Sequence, residues 1–181
     1  VTRVRDLPGD VSSSIISGKI VGILSGAAET GPRALGNRSI LADPRDGRNW
    51  QRVNSIKKRE QWRPFAPACL SEHMVDFFSD GPKKSPHMLF NYRVRSKEIP
   101  AVTHVDCTSR VQTVEKDGGK LRAVLENFYE KTSLPVLLNT SLNGPGEPIL
   151  NNAKHALDFV RNSDIDAVYA GPFKVERKSM Q

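Results

Sequence analysis

The sequence has few cysteines and no long apolar run. Two cysteines, Cys69 and Cys107, are too few for a disulfide framework in a chain of 181 residues. No stretch approaches the roughly 20 apolar residues that a membrane-spanning helix needs. No secretory signal peptide is visible at the charged amino terminus, so a cytoplasmic protein is expected. The chain starts with Val1 instead of Met, and we therefore expect a fragment of a longer protein.

Familiar nucleotide-binding and hydrolase motifs are missing as well. The chain contains neither the Walker loop G-x-x-x-x-G-K-[ST] nor the dinucleotide fingerprint G-x-G-x-x-G, and it has no nucleophile elbow. His104 and Asp106 face the same side of a predicted strand, but a third ligand is missing, so zinc is not expected. Any nucleotide must be held by other devices, and no metal caged by this chain is predicted.

Positive charge is abundant and concentrated. The formal net charge is +7 and the isoelectric point is near 9.6, which favours a polyanionic ligand such as a nucleotide, a phosphorylated metabolite or a nucleic acid. Residues 28–64 hold nine Arg or Lys against four acids. Arginine binds phosphate through two parallel hydrogen bonds, and Gly31 and Gly36 allow close approach of the backbone. A solvated basic loop is the structural alternative, but five apolar residues argue against it: Pro32, Ala34, Leu35, Ile40 and Leu41.

Strand and helix patterns interleave along the chain. Apolar periodicity predicts helices over residues 10–17, 48–58, 71–78, 121–132 and 152–161. Short apolar or alternating runs predict strands over residues 19–25, 39–42, 66–70, 88–94, 102–105, 110–114, 135–138 and 167–170. This order predicts a mixed α/β (α+β) domain, a single unit over residues 1–181 with helices packed on a twisted mixed sheet.

A polar loop follows the predicted strand 135–138. Asn139, Thr140, Ser141 and Asn143 supply amide and hydroxyl groups there, and ligands of α/β sheets collect beyond the carboxyl ends of strands. Taken alone, the loop is better explained as a turn that bonds to itself. Paired with the cationic stretch, it becomes one wall of a phosphate site. Arg110, which stands just before another predicted strand, is interpreted as a further phosphate contact.

Four motifs, in order, make the sequence recognisable. They are G-P-R-A-L-G-N-R-S-I-L-A-D-P-R-D (residues 31–46), K-x-R-E-x-x-R-P-F-A-P (57–67), T-H-V-D-x-T-x-R-V-Q-T-V (103–114) and P-V-L-L-N-T-S-x-N-x-x-G-E-P-I (135–149). Together they resemble the carboxy-terminal domain of the O-carbamoyltransferase family, which includes nodulation and antibiotic-biosynthesis enzymes. This domain is similar to YrdC-type threonylcarbamoyl-adenylate synthases, whose K-x-R and S-x-N signatures correspond to residues 57–59 and 141–143. The resemblance implies a YrdC-like fold.

The resemblance also implies an activity. The carboxy-terminal domain of such an enzyme joins carbamoyl phosphate to ATP and forms carbamoyl-adenylate, while a metal-binding amino-terminal domain, which has no counterpart here, transfers the carbamoyl group to a hydroxyl. Mg²⁺ is expected with ATP, held mostly by water and phosphate. Lys57, Arg33 and Arg63 take catalytic positions. The expected nucleotide- and substrate-binding residues are Arg38, Arg59, Arg110, Asn139, Thr140, Ser141 and Asn143. The acceptor is not determined, and the sequence leaves a homodimer open.

The proposed chemistry suits this residue set, because two polyanions must be brought together while charge builds on pyrophosphate. Preorganised cations and donors are needed more than an acid or a base. A rival interpretation is a non-catalytic basic module that binds nucleotide or RNA. We expect the aromatic residues Trp50, Trp62 and Phe65 to lie in apolar contexts, however, which is not typical of a stacking platform for bases among basic residues. A third interpretation is a folded fragment that is idle without its partner domain.

Overall fold

A computed structural model describes residues 1–177, so the last four residues of the predicted domain lie outside the described part of the chain. Its centre is an eight-stranded mixed sheet with the strand order β1-β11-β10-β2-β3-β9-β4-β8. These strands are β1 (Thr2–Arg3), β2 (Val21–Leu24), β3 (Arg38–Ala42), β4 (Ala66–Leu70), β8 (Gln112–Val114), β9 (Val136–Ser141), β10 (Ala167–Ala170) and β11 (Phe173–Glu176). The β2–β10 and β4–β8 pairs are parallel, and the other neighbours are antiparallel.

A second, three-stranded antiparallel sheet inserts between β4 and β8. It consists of β5 (Phe78–Ser79), β6 (Asn91–Val94) and β7 (Thr108–Arg110) in that spatial order. Its last strand, β7, leads directly into β8 of the large sheet. The small sheet therefore delivers Arg110 to the point where β8 begins.

Within residues 1–177, five helices pack on this framework: α1 (Leu7–Ile16), α2 (Arg48–Ile56), α3 (Met74–Phe77), α4 (Gly119–Thr132) and α5 (Ala153–Asn162). Helix α1 packs against α4, and α5 packs against β10 and β11. Short 3₁₀ turns occupy Ser71–His73 and Pro100–Val102. Leu121, Val124, Leu125 and Phe128 are the buried apolar face of α4, as their spacing predicts. They join one continuous apolar core with the strands of the large sheet.

Helix α1 begins earlier than the sequence pattern suggests. Asp6 caps it, since its side chain accepts a hydrogen bond from the N–H of Gly9 at 3.1 Å. Asp10 and Ser12, which stand near the start of the helix predicted over residues 10–17, lie inside the helix instead. The side chain of Asp10 faces the sheet, where it accepts a hydrogen bond from the Tyr169 hydroxyl and forms an ion pair with the Lys174 ammonium.

Three predicted elements are wrong in part. Residues 102–105 form no strand, because a tight turn follows Pro100–Val102 and leaves Val105 93% exposed. Residues 71–78 form a 3₁₀ turn and one short helix before β5 begins. Residues 139–141, predicted as loop, continue β9 instead, because their backbone pairs with β3 on one side and Asn139 also pairs with β4 on the other. The short strand β1 at the edge of the sheet and its neighbour β11 are not apparent in the apolar pattern.

Candidate active site

Several strand ends meet at one edge of the large sheet. Strand β9 ends at Ser141, which is paired with Ser39 at the start of β3, and Asn139 is paired with Ala66 at the start of β4. Strand β8 runs parallel to β4 and begins at the same edge. Each strand therefore delivers the residues before or after it to this edge, although these residues come from four separate parts of the chain.

Lys57 is the most enclosed cation at this edge. It is 5% exposed, and its Nζ lies near four oxygens of the turn after β9. These are the carbonyl oxygen (2.6 Å) and hydroxyl (3.3 Å) of Ser141, and the carbonyl (3.2 Å) and side-chain oxygen (2.7 Å) of Asn143. Burial, and then the charge of Arg59, lowers the pKa of Lys57 to about 7. The K-x-R and S-x-N signatures thus meet in one hydrogen-bonded group.

The end of helix α2 explains how Lys57 turns inward. Lys57 is the last residue with helical backbone, and Lys58 adopts a left-handed conformation with φ 44°. That position after a helix usually belongs to glycine, so a lysine there is strained. The chain reverses at Lys58, which leaves Lys57 pointing into the protein and Lys58 exposed.

Arg59, the next cation of this motif, is half-buried and fixed. Its Nε donates to the side-chain oxygen of buried Asn54 at 2.6 Å, and its guanidinium lies 4.4 Å from the centroid of the Phe65 ring. Burial, and then the nearby Arg63, lowers the pKa of Arg59 to about 10. Arg63 itself is exposed and forms an ion pair with Glu60 at 2.8 Å.

Arg33 and Arg110 differ from Arg38 and Arg59, which are held by carbonyl or amide oxygens: within the described residues, neither guanidinium has a hydrogen-bond or carboxylate partner. Arg110 is half-buried, its Nε is buried without a hydrogen bond, and burial followed by the charge of Arg33 lowers its pKa. Arg33 lies in the segment before β3 and Arg110 just before β8. Two unpaired like charges within electrostatic range of each other are costly unless an anion joins them.

Two of the predicted binding residues face the protein instead of the solvent. The guanidinium of Arg38 is buried and donates to four backbone carbonyls, those of Ser25, Gly26, Asn37 and Asn151. Asn139 is 1% exposed, and its amide donates to the carbonyl of Ala34 and to the side chain of Gln112. Both residues bind backbone carbonyls of the segment between β2 and β3. They therefore support the conformation of this segment and do not face a ligand at the edge.

The side chain of Thr140 does not join those of the other predicted binding residues of β9. Side chains alternate along a strand, so Asn139 and Ser141 share one face of β9 and Thr140 lies on the other. Its backbone pairs with Ile40 in β3. Ser141, in contrast, is half-exposed and donates its hydroxyl to the side-chain oxygen of Asn143 at 2.7 Å.

Sequence patterns missed two residues of the edge, Glu29 and Gln112. Glu29 Oε1 accepts three backbone N–H groups of the segment before β3, and Gln112 Nε2 donates to the carbonyl of Leu35 at 2.9 Å. The signal for Gln112 was an amide side chain between Val111 and Val114 in the predicted strand 110–114. For Glu29 it was an isolated acid beside a cationic loop.

No group of three or more His, Cys, Asp or Glu residues within residues 1–177 is placed to hold a metal ion. His104 and Asp106 are connected through Thr108, whose hydroxyl lies 3.3 Å from His104 Nδ1 and donates to Asp106 at 2.7 Å. Burial lowers the pKa of His104. This part of the chain also has no helix that is long and apolar enough to cross a membrane.

Comparison with solved structures defines the class of fold. The chain superposes on full-length HypF in its phosphate- and nucleotide-bound form with a TM-score of 0.64 and 18% identity, covering 91% of this chain and 24% of HypF. It superposes on Sua5 of P. abyssi, complexed with L-threonine, with a TM-score of 0.65 and 16% identity, covering 91% of this chain and 46% of Sua5. The YrdC-like fold expected from the motifs is therefore confirmed.

Sequence comparison then gives the family. A family model described as the carbamoyltransferase C-terminus matches residues 12–177, and the chain belongs to this family. It is 42% identical to nodulation protein NolO of Bradyrhizobium diazoefficiens over 185 residues, which cover 98% of this chain and 34% of NolO. It is 38% identical to the 3'-hydroxymethylcephem-O-carbamoyltransferase of Amycolatopsis lactamdurans over 164 residues, covering 90% and 31%. The chain thus spans about a third of the length of these curated relatives.

Proposed function

We propose that this domain binds ATP and carbamoyl phosphate and forms carbamoyl-adenylate, the donor for O-carbamoyl transfer. The observation that carries the proposal is the pair of guanidinium groups without carboxylate partners, Arg33 and Arg110, at the edge where Lys57 meets Ser141 and Asn143. Three cations and two neutral donors around one edge match a ligand with several anionic oxygens. We choose carbamoyl phosphate as the second substrate because the chain belongs to the carbamoyltransferase family.

The proposed reaction consumes one water. Water cleaves carbamoyl phosphate to carbamate and phosphate, and a carbamate oxygen then attacks the α-phosphorus of ATP, where the bond to pyrophosphate breaks. Negative charge accumulates on pyrophosphate as it leaves. Fixed cations stabilise that charge without reorganising during the step, and this is the catalytic role that we assign to Lys57 and Arg33. Arg63, the third residue to which we assign it, is exposed and would have to leave its ion pair with Glu60 to join them. Arg59 and Arg110, with Ser141 and Asn143, would hold the phosphates in place.

Mg²⁺ fits this site as a partner of ATP. Lys57 and the arginines carry positive charge, and no carboxylate cluster for a divalent ion exists among the residues that the structure describes. Phosphate and water would therefore be its main ligands, as is usual for this ion. When bound, the ion would neutralise part of the phosphate charge. The residues of this chain would orient the ligands.

A separate amino-terminal domain would carry out the transfer itself, because the chain spans only about a third of its curated relatives. The relatives named above are a nodulation protein and a cephem O-carbamoyltransferase, so a hydroxyl on a nodulation factor or an antibiotic is the class of acceptor we propose. ATP is a cytoplasmic substrate, and we place the reaction in the cytoplasm for that reason.

One observation favours a second function, binding of RNA by a basic surface. The expectation that Trp62 lies in an apolar context is wrong, since its side chain is 72% exposed and the Arg63 guanidinium lies 5.8 Å from its ring centroid. An exposed ring beside arginine can stack on a base. Phe65 is buried and Trp50 partly buried, so Trp62 would act without a second ring from this set.

The test of the proposed function is incubation of the protein with ATP, Mg²⁺ and carbamoyl phosphate, followed by measurement of pyrophosphate. Release that requires both substrates supports the proposal. A protein that neither releases pyrophosphate nor gains thermal stability from ATP or carbamoyl phosphate contradicts it. Binding to RNA is measured in parallel at several salt concentrations, because phosphate contacts give a steep salt dependence. Tight, salt-dependent RNA binding without a response to either small molecule would favour the second function.

A further inference from the structure

Backbone amides of the segment between β2 and β3 converge on a single carboxylate oxygen. Oε1 of Glu29 accepts hydrogen bonds from the N–H groups of Leu35 (2.7 Å), Asn37 (2.7 Å) and Arg38 (3.3 Å). N–H groups that point to one place form a site for an anion. In this protein the chain fills that site with its own glutamate.

The large sheet holds the same segment from another direction. Asn139 Nδ2 donates to the carbonyl of Ala34 at 3.1 Å, while the N–H of Leu35 is bound by Glu29. The peptide group between Ala34 and Leu35 is thus fixed at both its oxygen and its nitrogen. Gln112 adds a bond to the carbonyl of Leu35 and accepts one from Asn139 at 2.7 Å.

Close packing leaves this segment little freedom. Gly36 has φ +122°, and a Cβ atom at this position would lie 2.6 Å from Cβ of Leu121 in α4. Gly36 also donates its N–H to the hydroxyl of Ser39 at 3.0 Å. The four consecutive amides of residues 35–38 therefore all bind side chains, three of them Glu29.

Arg33 immediately precedes the fixed peptide and needs such support. Unlike Arg59, Arg33 has no side-chain hydrogen bond or ion pair of its own within the described residues, so only its backbone can orient it before a ligand arrives. We propose that Glu29, together with Asn139 and Gln112, is a positioning residue that holds Arg33 opposite Arg110. This inference rests on the proposed function, which assigns Arg33 to the anion. Asn139 then acts through Arg33 and does not touch the ligand.

The negative charge of Glu29 should strengthen its hydrogen bonds to the backbone, which a residue that only fills space would not do. All three partners of Oε1 are donors, and hydrogen bonds to an ionised acceptor are roughly twice as strong as neutral ones. Gln at this position keeps an acceptor oxygen but loses the charge, whereas Ala leaves three amides without a partner. The expected order of ligand affinity is therefore wild type, Glu29→Gln and Glu29→Ala.

The experiment combines amide hydrogen exchange by NMR with titration of pyrophosphate by calorimetry. It compares wild type, Glu29→Ala, Glu29→Gln and the control Glu98→Ala, which removes the same charge from an exposed side chain. In Glu29→Ala we expect the amides of residues 35, 37 and 38 to exchange at least tenfold faster, with those of Ile40 and Leu41 in β3 unchanged. Pyrophosphate affinity should fall roughly tenfold, and added acetate should restore part of it by filling the vacated site.

Two results would overturn the inference: unchanged exchange of the three amides in Glu29→Ala, or faster exchange with wild-type affinity for pyrophosphate. If Glu29→Ala does not fold, Glu29→Gln decides, since wild-type exchange and affinity in that variant contradict a role for the charge. A wild-type protein that does not bind pyrophosphate speaks against the proposed function, and the exchange measurements still show whether Glu29 holds the segment.

Discussion

The ammonium nitrogen of Lys57 lies 2.7 Å from the side-chain oxygen of Asn143, although 86 positions separate them in the chain. This contact closes the gap between the end of α2 and the turn after β9. Because the same nitrogen also contacts both oxygens of Ser141, one lysine fixes the geometry of the whole turn. An arriving phosphate would compete with these oxygens for the same protons.

Replacement of Lys57 by Met should abolish pyrophosphate release and leave the protein folded. Met preserves most of the side-chain volume and removes the charge that the phosphates need. We expect a loss of at least about a hundredfold, since hydrogen bonds to charged groups contribute about 1.5–3 kcal/mol each. The control is Lys58→Gln, which removes the neighbouring exposed charge and should retain most of the activity. Near-normal release by Lys57→Met would show that Lys57 is not a catalytic residue.

Lys57 should also make ligand binding depend on pH. Its pKa is lowered to about 7 in the folded protein, so the ammonium is charged below that pH and neutral above it. The ratio of pyrophosphate affinity between wild type and Lys57→Met should therefore fall as pH rises through about 7. Taking this ratio removes the titration of the ligand itself.

Stability should move in the opposite direction. In the unfolded chain Lys57 keeps its ordinary pKa of 10.5, so between about pH 7 and 10.5 the unfolded state binds more protons. The melting temperature of wild type relative to Lys57→Met should consequently rise over that window. A flat difference in both melting temperature and affinity would contradict the buried, weakly basic lysine.

Part of this site could be predicted from the sequence, because some of its residues belong to recognisable motifs. Lys57, Ser141 and Asn143 belong to two recognisable signatures, and the structure joins them. Glu29 and Gln112 could not be predicted in the same way. Glu29 binds backbone N–H groups, and Gln112 binds the carbonyl of Leu35 and the distant side chain of Asn139; which of these groups a side chain meets depends on the folded path of the chain.

The fold shows the same division. Helix α4 and strand β4 were predicted to within two residues, because their apolar faces point into the core. Strand β11 was not predicted, since its residues are only partly buried and its place depends on pairing with β10. Trp62 was misjudged because the buried apolar run begins only at Phe65, whereas residues 61–64 are exposed.

Arg33 and Arg110 should bind the same anion, so their effects should not add. Arg33→Ala and Arg110→Ala should each lower the affinity for pyrophosphate about ten- to a hundredfold. The double variant should lose less than the sum of the two free-energy changes, because contacts to one ligand are coupled. Arg95→Ala, which removes an exposed cation elsewhere, serves as the control. Full additivity would place the two guanidinium groups in separate sites.

Glu72 and Arg122 should make the fold sensitive to acid. The buried guanidinium of Arg122 binds Glu72 through two nitrogens and lowers the pKa of that carboxyl to about 2. The pKa is depressed on folding, so the stabilisation is present above the ordinary value of 4.5 and is lost as pH falls towards 2. Between pH 5 and 2, the melting temperature of wild type should fall by more than that of Glu72→Gln, as calorimetry can show. If the melting temperatures of the two proteins fall in parallel with pH, the Glu72–Arg122 pair does not contribute to the acid sensitivity.

Ser141 and Asn143 should contact the phosphates or the carbamoyl group of the ligand, and three variants separate this role from support of the turn. Ser141→Ala and Asn143→Ala should lower the affinity for ATP or carbamoyl phosphate about ten- to a hundredfold with little change in the melting temperature of the free protein. If the two side chains only support the turn, the free protein becomes less stable and the affinity per folded molecule holds. Asn143→Asp sharpens the distinction, because it keeps an oxygen beside the Lys57 ammonium but adds negative charge where phosphates would bind. We expect its melting temperature to be retained and its affinity to fall below that of Asn143→Ala; wild-type affinity in all three variants would remove this turn from the site.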